Sequence, residues 1–452
     1  MKKKAIILGG GISGLTLRYY LSRKYPDLDI TLFEKEHRLG GIIESMHEGG
    51  FFFEKGPRTF KASKSHHLLS LISELGMEKE VVVSEKRAAR RFLWKDDQLH
   101  ALPMQPLPLL SSPLTRKLIP ALMKEWKQDA GEPDETIHSF AKRRLGIYAA
   151  EVFFDPMTLG IYAGDIRKLS IASCFPSLKQ LEKSHGSITK GLFKKRKEGK
   201  QRFSYPDGMR PSCLFTLREG VETLVTELTA KGKGEIHLNT CIDQVQLKND
   251  KVQLSYGDET WEADHLFCAL SPKGAYQLTK SWDDQIQAFF QNLETASLSV
   301  IHLGFQSKIL DREGFGYLIP SSQGEKILGV IFDSSVFPQQ NLHDIETRMT
   351  VMMGGALHPD HHMTDKEERL AQALTGIQKH LGISAKPTYK NVIQYTQAIP
   401  QFTVGHQGRV AAFREVTKQK YPQVTFLGNY LDGVSISDCI AGAESASHQL
   451  NI

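Results

Sequence analysis

One run near the start, Lys4-Ala5-Ile6-Ile7-Leu8-Gly9-Gly10-Gly11-Ile12-Ser13-Gly14, constrains the fold of this chain more than any other stretch. Lys4 to Leu8 has the length and apolar content of a short buried strand, and a helical pattern runs from the glycines to about Tyr25. Asp29 to Phe33 reads as a second strand closed by Glu34, which lies 20 positions after Gly14. A strand, a glycine turn, a helix and an acid in this register form the fingerprint of a parallel α/β dinucleotide-binding unit. Gly9 permits the tight turn, Gly11 lets the backbone approach a pyrophosphate, and Gly14 lets helix and strand pack closely. The helix N-terminus then offers N–H groups and a positive dipole end to the phosphates. Glu34 is placed to accept from both ribose hydroxyls, which selects a dinucleotide without a 2′-phosphate.

The remaining chain must supply further domains, because 452 residues exceed the roughly 250 to 300 at which single cores stop growing. With 40% hydrophobic and 24% charged residues it reads as globular. Cys174, Cys213, Cys241, Cys268 and Cys439 include no CxxC pair, which argues against a disulfide framework and a zinc site and fits a reducing cytoplasm. His358, His361 and His362 lack ligand spacing and read as a solvated loop, so no metal is expected. Gly9 breaks the N-terminal apolar run short of a signal-peptide core, and no stretch approaches the roughly 20 apolar residues that span a bilayer. Membrane contact is therefore expected to be peripheral only. The net charge of +6 is partly local: Lys190, Lys194, Lys195, Arg196, Lys197, Lys200 and Arg202 crowd one segment. Without interleaved aromatics this segment reads as a solvated loop and no nucleic-acid partner is expected; attraction to anionic lipid or an acidic substrate stays open.

Two further segments answer the N-terminal fingerprint. Val424 to Leu427 reads as a strand, and Gly428-Asn429-Tyr430-Leu431-Asp432-Gly433-Val434-Ser435-Ile436 leads into a helix from about Ser437 to Leu450. In the middle, Glu219 to Leu224 begins a helix. Ile236-His237-Leu238, Cys241-Ile242, Val252-Gln253-Leu254 and His265 to Leu270 then alternate with turn signals at Lys248-Asn249-Asp250 and Gly257-Asp258, which predicts a strand meander ending at Pro272. Arg38-Leu39-Gly40-Gly41 follows the second strand where a nicotinamide-binding fold proceeds into a helix. It resembles the motif beside the FAD phosphates of two-dinucleotide-binding-domain flavoproteins. That resemblance implies FAD, held by Gly9, Gly10, Gly11, Ile12, Ser13, Gly14, Glu34, Lys35, Arg38, Gly40, Gly41 and Ile42, with Ile242 at the adenine. It also places Asn429, Val434, Ser435 and Ile436 near the flavin pyrimidine ring and ribityl chain, where a helix dipole stabilises negative charge.

Several segments together resemble the protoporphyrinogen/coproporphyrinogen III oxidase family of the flavin amine oxidase superfamily over nearly the whole chain. They are Phe53-Glu54-Lys55-Gly56-Pro57-Arg58; Arg91-Phe92-Leu93-Trp94 with Leu99 to Pro103; Gly160-Ile161-Tyr162-Ala163-Gly164-Asp165; Cys174-Phe175-Pro176-Ser177-Leu178; and Gly314 to Ser321. The resemblance implies that Gly56, Pro57, Arg58 and Thr59 cross the flavin and that Arg91, with Arg90 as its confusable neighbour, pairs a propionate of a tetrapyrrole. An arginine suits a carboxylate because its fork pairs bidentately. Phe315, Leu318 and Met352 match apolar walls of the substrate pocket, and Gly160 and Gly164 match backbone lying against the macrocycle. The implied reaction removes hydrogen from the porphyrinogen to the flavin, with molecular oxygen as final acceptor and no protein base required.

The expected fold is α/β: a two-dinucleotide-binding-domain flavoprotein with an antiparallel-sheet substrate domain and a helical, membrane-associated insertion. Residues 1–60, 215–275 and 405–452 are assigned to the FAD domain, 61–94 and 276–404 to the substrate domain and 95–205 to the insertion. Pro106-Leu107-Pro108-Leu109-Leu110, Leu114, Leu118 to Met123 and Trp126, interspersed with Lys117, Lys124 and Lys127, suit equally a helical face at a bilayer interface and helices packed on their own domain core. A cytoplasmic protein is expected, and peripheral contact with the inner face of the cell membrane and a homodimer both stay open. Protoporphyrinogen IX and coproporphyrinogen III both remain as substrates. An amine oxidase, a carotenoid-type desaturase and a non-enzymatic prenyl-binding relative are the rival readings.

Overall fold

A computed structural model describes residues 2–103, 112–197, 203–206, 208–248 and 250–450. The N-terminal strand Lys4–Leu8 lies at the centre of a five-stranded, wholly parallel sheet. Its neighbours are Asp29–Phe33 and Glu235–His237 on one side and His265–Cys268 and Val424–Phe426 on the other. Nearly every side chain of Lys4–Leu8 and His265–Cys268 is buried, as a parallel sheet covered on both faces requires. Helix Ile12–Lys24 packs against the C-terminal helix Ile436–His448, so chain segments more than 400 positions apart close one core with Leu15, Ile440 and Ala443. At that crossing Ser13 meets the Cys439 thiol.

The expected meander divides between two sheets. Glu235–His237 and His265–Cys268 join the parallel sheet, whereas Gln244–Lys248, Lys251–Tyr256 and Glu259–Ala263 form a separate antiparallel sheet. Cys241 and Ile242 are not a strand: Thr240 N donates to Glu34 O at 2.9 Å and turns the chain beside the acid instead. The turn residue Asn249 lies outside the described residues.

The second large sheet has seven strands, in the order Tyr389–Pro400, Thr295–Phe305, Thr347–Gly354, Ile327–Ile331, Gly316–Leu318, Arg91–Lys95 and Gln98–Leu102. It is mixed rather than antiparallel, because Gly316–Leu318 and Arg91–Lys95 run parallel. Phe92, Ile301, Tyr317, Val330 and Val351 bury one face against helix Lys366–Leu381. The other face looks toward the segment Gly56 to Thr59.

The residues after Leu102 are helical, with Pro113–Arg116, Ile119–Lys124, Ile137–Ala149, Asp155–Tyr162, Pro176–His185 and Ile188–Lys197. The run Pro106 to Leu110 lies outside the described residues, as do Lys200 and Arg202. The basic segment is not a loop where it is described, since Lys190 and Lys194 lie on Ile188–Lys197. Glu125, fully buried, starts that helix by accepting from Ser187 Oγ (2.5 Å), Ile188 N (2.8 Å) and Thr189 Oγ1 (2.5 Å). His361 also departs from a solvated loop: it is buried, and its ring hydrogen-bonds Ser299 Oγ at 2.9 Å.

Candidate functional site

The glycine turn has the geometry a pyrophosphate needs. Gly9 sits at φ +103°, and a Cβ there would meet Ala269 O at 2.6 Å; one at Gly14 would collide with Gly9 O. A Cβ at Gly11 would meet nothing within 4 Å, so open space lies in front of the turn. Helix Ile12–Lys24 has no side-chain cap and no acid in its first turn, which leaves its first N–H groups for an anion. Glu34 is buried with Oε2 accepting from Gly10 N at 2.6 Å and Oε1 from Glu36 N at 3.0 Å. The carboxylate is thereby fixed at the edge of that space. Ile242 follows the Thr240 turn beside it, while Lys35 is exposed and pairs with Glu36. These features fit a dinucleotide.

The Arg38 loop folds back on the turn: Gly40 N donates to Gly10 O at 2.8 Å, and a Cβ on Gly41 would touch Gly11 Cα at 3.4 Å. Arg38 itself braces the loop, donating to Leu39 O (2.9 Å), Ile43 O (3.1 Å) and Gly41 O (2.6 Å) and pairing with Glu44 at 2.9 Å. Ile42 is left 51% exposed on the open side. Gly56 comes up against this loop so closely that a Cβ would strike Ile42 O. At the C-terminal end, Asn429 is partly buried beside the buried Tyr430, Val434 packs partly buried on the cluster of Phe140, Tyr162 and Phe402, and Ser435 caps helix Ile436–His448 reciprocally with Asp438. The Asp438 carboxylate occupies part of the dipole end expected to face the flavin.

After Gly56 and Pro57, the buried Arg58 reaches the seven-stranded sheet. Its Nη1 donates to Thr350 Oγ1 and lies 3.6 Å from Asp333 Oδ1, and Thr350 Oγ1 in turn donates to Asp333 Oδ2 at 2.7 Å. Thr59 is partly buried at the end of this strip. His302, paired directly with Thr350 on the adjacent strand, stacks on Phe53 with ring centroids 4.6 Å apart and hydrogen-bonds Glu54 O through Nε2 at 3.1 Å. Burial, with Arg58 nearby, holds the His302 pKa well below the usual histidine range. Neither Thr350, Asp333 nor His302 carries a recognisable spacing in the sequence, so only the tertiary structure identifies them.

Residues directly paired across a sheet share a face, and the pairing Leu93, Leu318, Gly329, Met352, Val300 runs across five strands. Arg91 is two residues before Leu93 on the same face, with its Cζ 5.3 Å from the Phe315 ring centre. Arg91 Nε is buried without a hydrogen-bond partner, and burial lowers the guanidinium pKa. Arg91, Phe315, Leu318 and Met352 are thus brought together, each partly buried. Its neighbour Arg90 is exposed. The two glycines separate. A Cβ on the exposed Gly160 would meet Leu318 Cδ2 at 2.8 Å, whereas Gly164 is buried against Gln401 and Leu169, so protein packing accounts for its missing side chain. The described residues include no cluster of metal-ligating side chains and no helix long and apolar enough to cross a membrane.

Comparison with known proteins places this geometry. The model of the flavin containing amine oxidoreductase family matches residues 12–451. The protoporphyrinogen oxidase of Homo sapiens is 34% identical, with 99% of this chain and 98% of that one aligned. The coproporphyrinogen III oxidase of Staphylococcus aureus (strain NCTC 8325 / PS 47) is 26% identical over 100% and 99%. A crystal structure from Exiguobacterium sp. 255-15 shares the fold at TM-score 0.86 and 24% identity, covering 99% of this chain and 98% of that one. The cyclohexylamine oxidase of Brevibacterium oxydans IH-35A gives TM-score 0.71 at 16% identity, covering the same shares. The backbone is therefore common to enzymes of different substrates, and the substrate must be argued from side chains.

Proposed function

The chain belongs to the flavin containing amine oxidoreductase family, and from that membership we propose that it oxidises protoporphyrinogen IX to protoporphyrin IX in haem biosynthesis, with FAD as cofactor and oxygen as acceptor. The observation that carries the substrate is Arg91: a partly buried guanidinium with an unpartnered Nε, lying on Phe315 beside an apolar wall. Such a cation in apolar surroundings suits a carboxylate on a large flat ligand. FAD, when bound, supplies the two-electron acceptor for each dehydrogenation. The chain's own residues do the holding. Glu34 and the glycine turn fit the adenosine half, Arg58 fixes the strip expected to cross the flavin, and Leu318 and Met352 offer the substrate an apolar face. Residues 1–60, 215–275 and 405–452 are proposed as the cofactor unit, 61–94 and 276–404 as the substrate unit, and 95–205 as the insertion.

The test is aerobic incubation of the purified yellow protein with protoporphyrinogen IX or coproporphyrinogen III. Porphyrin fluorescence and hydrogen peroxide should rise together, faster with the former. A colourless protein, or a yellow one inert to both, overturns the reading; faster turnover of coproporphyrinogen III transfers it to that substrate. A peripheral contact with the inner membrane face is supported by exposed Met123, Trp126, Leu192 and Phe193 beside Lys190, whose Nζ lies 5.9 Å over the Trp126 ring. Sedimentation with phosphatidylserine vesicles, lost in a Trp126→Ser/Phe193→Ser variant, checks it. Light scattering checks whether the protein is a homodimer.

A further inference from the structure

The wall beside Arg91 continues into the helical insertion. Leu93 is buried with Leu114 and Val152, and Leu102, Tyr148, Phe153 and Leu318 pack partly buried around them. Arg91 stands directly opposite Leu102 in the strand pair, so the cation borders one edge of this apolar group. Lys117 borders another: its Nζ lies 5.2 Å over the Tyr148 ring. It occupies the turn just after helix Pro113–Arg116, whose Leu114 belongs to the same group. Tyr148 is held by an irregular backbone. Gly146, at φ 83° and ψ 164°, kinks helix Ile137–Ala149, and a π turn follows at Ala150–Phe154, which presents Tyr148 and Phe153 with ring centres 6.2 Å apart. Two cations thus flank one apolar patch, each seated on an aromatic ring. Asp96, the acid whose charge reaches Lys117, is paired with Lys95.

We propose that Lys117 is a second carboxylate-binding residue of this pocket, opposite Arg91, and that the pair selects a tetrapyrrole carrying two acid arms. This rests on the porphyrinogen reading above and names the feature of the substrate that the pocket measures. The two acid arms of protoporphyrinogen IX leave adjacent pyrroles at one edge of the ring, so two cations bordering one apolar patch can hold both. Arg91 is the partly buried anchor, and Lys117, exposed and mobile about its stem, completes the site at the rim.

The experiment is Lys117→Met, which keeps the aliphatic stem over Tyr148 at an exposed position where folding is not at risk. KM for protoporphyrinogen IX should rise about fivefold, the size expected for one exposed ion pair, with the loss falling on KM rather than kcat. KM for the dimethyl ester of the same porphyrinogen should not change, and Lys117→Arg should restore the acid. An unchanged KM for the acid overturns the proposal, as does an equal loss on the ester, which would assign Lys117 to packing. Binding of protoporphyrin IX and its dimethyl ester, read by fluorescence quenching, repeats the comparison without turnover. A wild type that oxidises no porphyrinogen yet binds the diacid through Lys117 would reject the reaction and keep the pocket; one that also binds both ligands alike would reject both.

Discussion

Glu54→Gln tests how the strip expected to cross the flavin is tied to the cofactor loop. Glu54 ends the strand Phe51–Glu54, is buried, and accepts from Val221 N at 2.7 Å and Ser45 Oγ at 2.8 Å. Val221 N opens helix Glu222–Lys231, whose neighbouring Val225 packs on Gly40 of the Arg38 loop. Burial outweighs both hydrogen bonds and pushes the carboxyl from 4.5 up to about 7. A carboxyl raised in the folded state binds its proton there while the unfolded chain has already released it, so stability falls as pH climbs from about 4.5 to about 7. The loss amounts to about 3 kcal/mol and is complete above pH 7. A glutamine reproduces the neutral carboxyl, its oxygen accepting from Val221 N and its amide donating to Ser45 Oγ. Urea midpoints of the FAD-loaded protein at pH 5, 6, 7 and 8 should therefore show the variant gaining on the wild type as pH rises, with the gap levelling off by pH 8. Retention of FAD should follow the same trend. Parallel curves across that range would show that Glu54 does not titrate there, and the argument from burial would be wrong.

Arg91→Ala should raise KM for the porphyrinogen roughly tenfold to a hundredfold, the range for one charge-assisted hydrogen-bonded pair, while the flavin absorbance stays intact; loss of FAD instead would show the residue misplaced. Gly14→Ala drives a methyl into Gly9 O and should cost about 1 to 3 kcal/mol and bound FAD together, measured by thermal unfolding and visible spectrum. Asp333→Asn removes the acid between Arg58 and Arg348 and should cost about 2 kcal/mol while perturbing the flavin spectrum, because Arg58 loses its partner; an unaltered spectrum would separate Arg58 from the cofactor. Arg144→Ala leaves Glu125 and Glu182, both buried, without the guanidinium that now lies 3.4 and 2.6 Å away, and should destabilise the helical insertion by about 3 to 5 kcal/mol, read as faster limited proteolysis.

The fingerprint was legible because its chemistry is local. Gly9, Gly11, Gly14 and Glu34 lie within one strand–helix–strand unit, and each answers to backbone geometry that the sequence spacing already dictates. The parallel sheet was less legible, because its outer strands Glu235–His237 and Val424–Phe426 arrive from distant segments and the first of them looks like part of a meander. The helix at Ile188–Lys197 was misread from its charge alone, since the acid that starts it, Glu125, lies more than 60 positions upstream. The packing at Gly164 was hidden for a similar reason: Gln401, which a side chain there would meet, is remote in the chain.

The same distance argument explains why the seam between cofactor and substrate could not be read in advance. Arg58 and Thr350 are 292 positions apart, and neither residue type announces a partner. Yet Thr350 is on the strand of Met352 and the same sheet face, so the Arg58 contact fixes the cofactor strip and the substrate wall relative to each other. On the opposite side of the strip, Gly56 rests on the loop that closes over the glycine turn. A displacement at either contact must pass to the other through the short rigid run Gly56-Pro57-Arg58, whose proline restricts its backbone. On the proposed reading, two contacts on three residues set the placement of a porphyrinogen against a flavin, and substitutions at Asp333 or Thr350 should alter catalysis without touching either ligand.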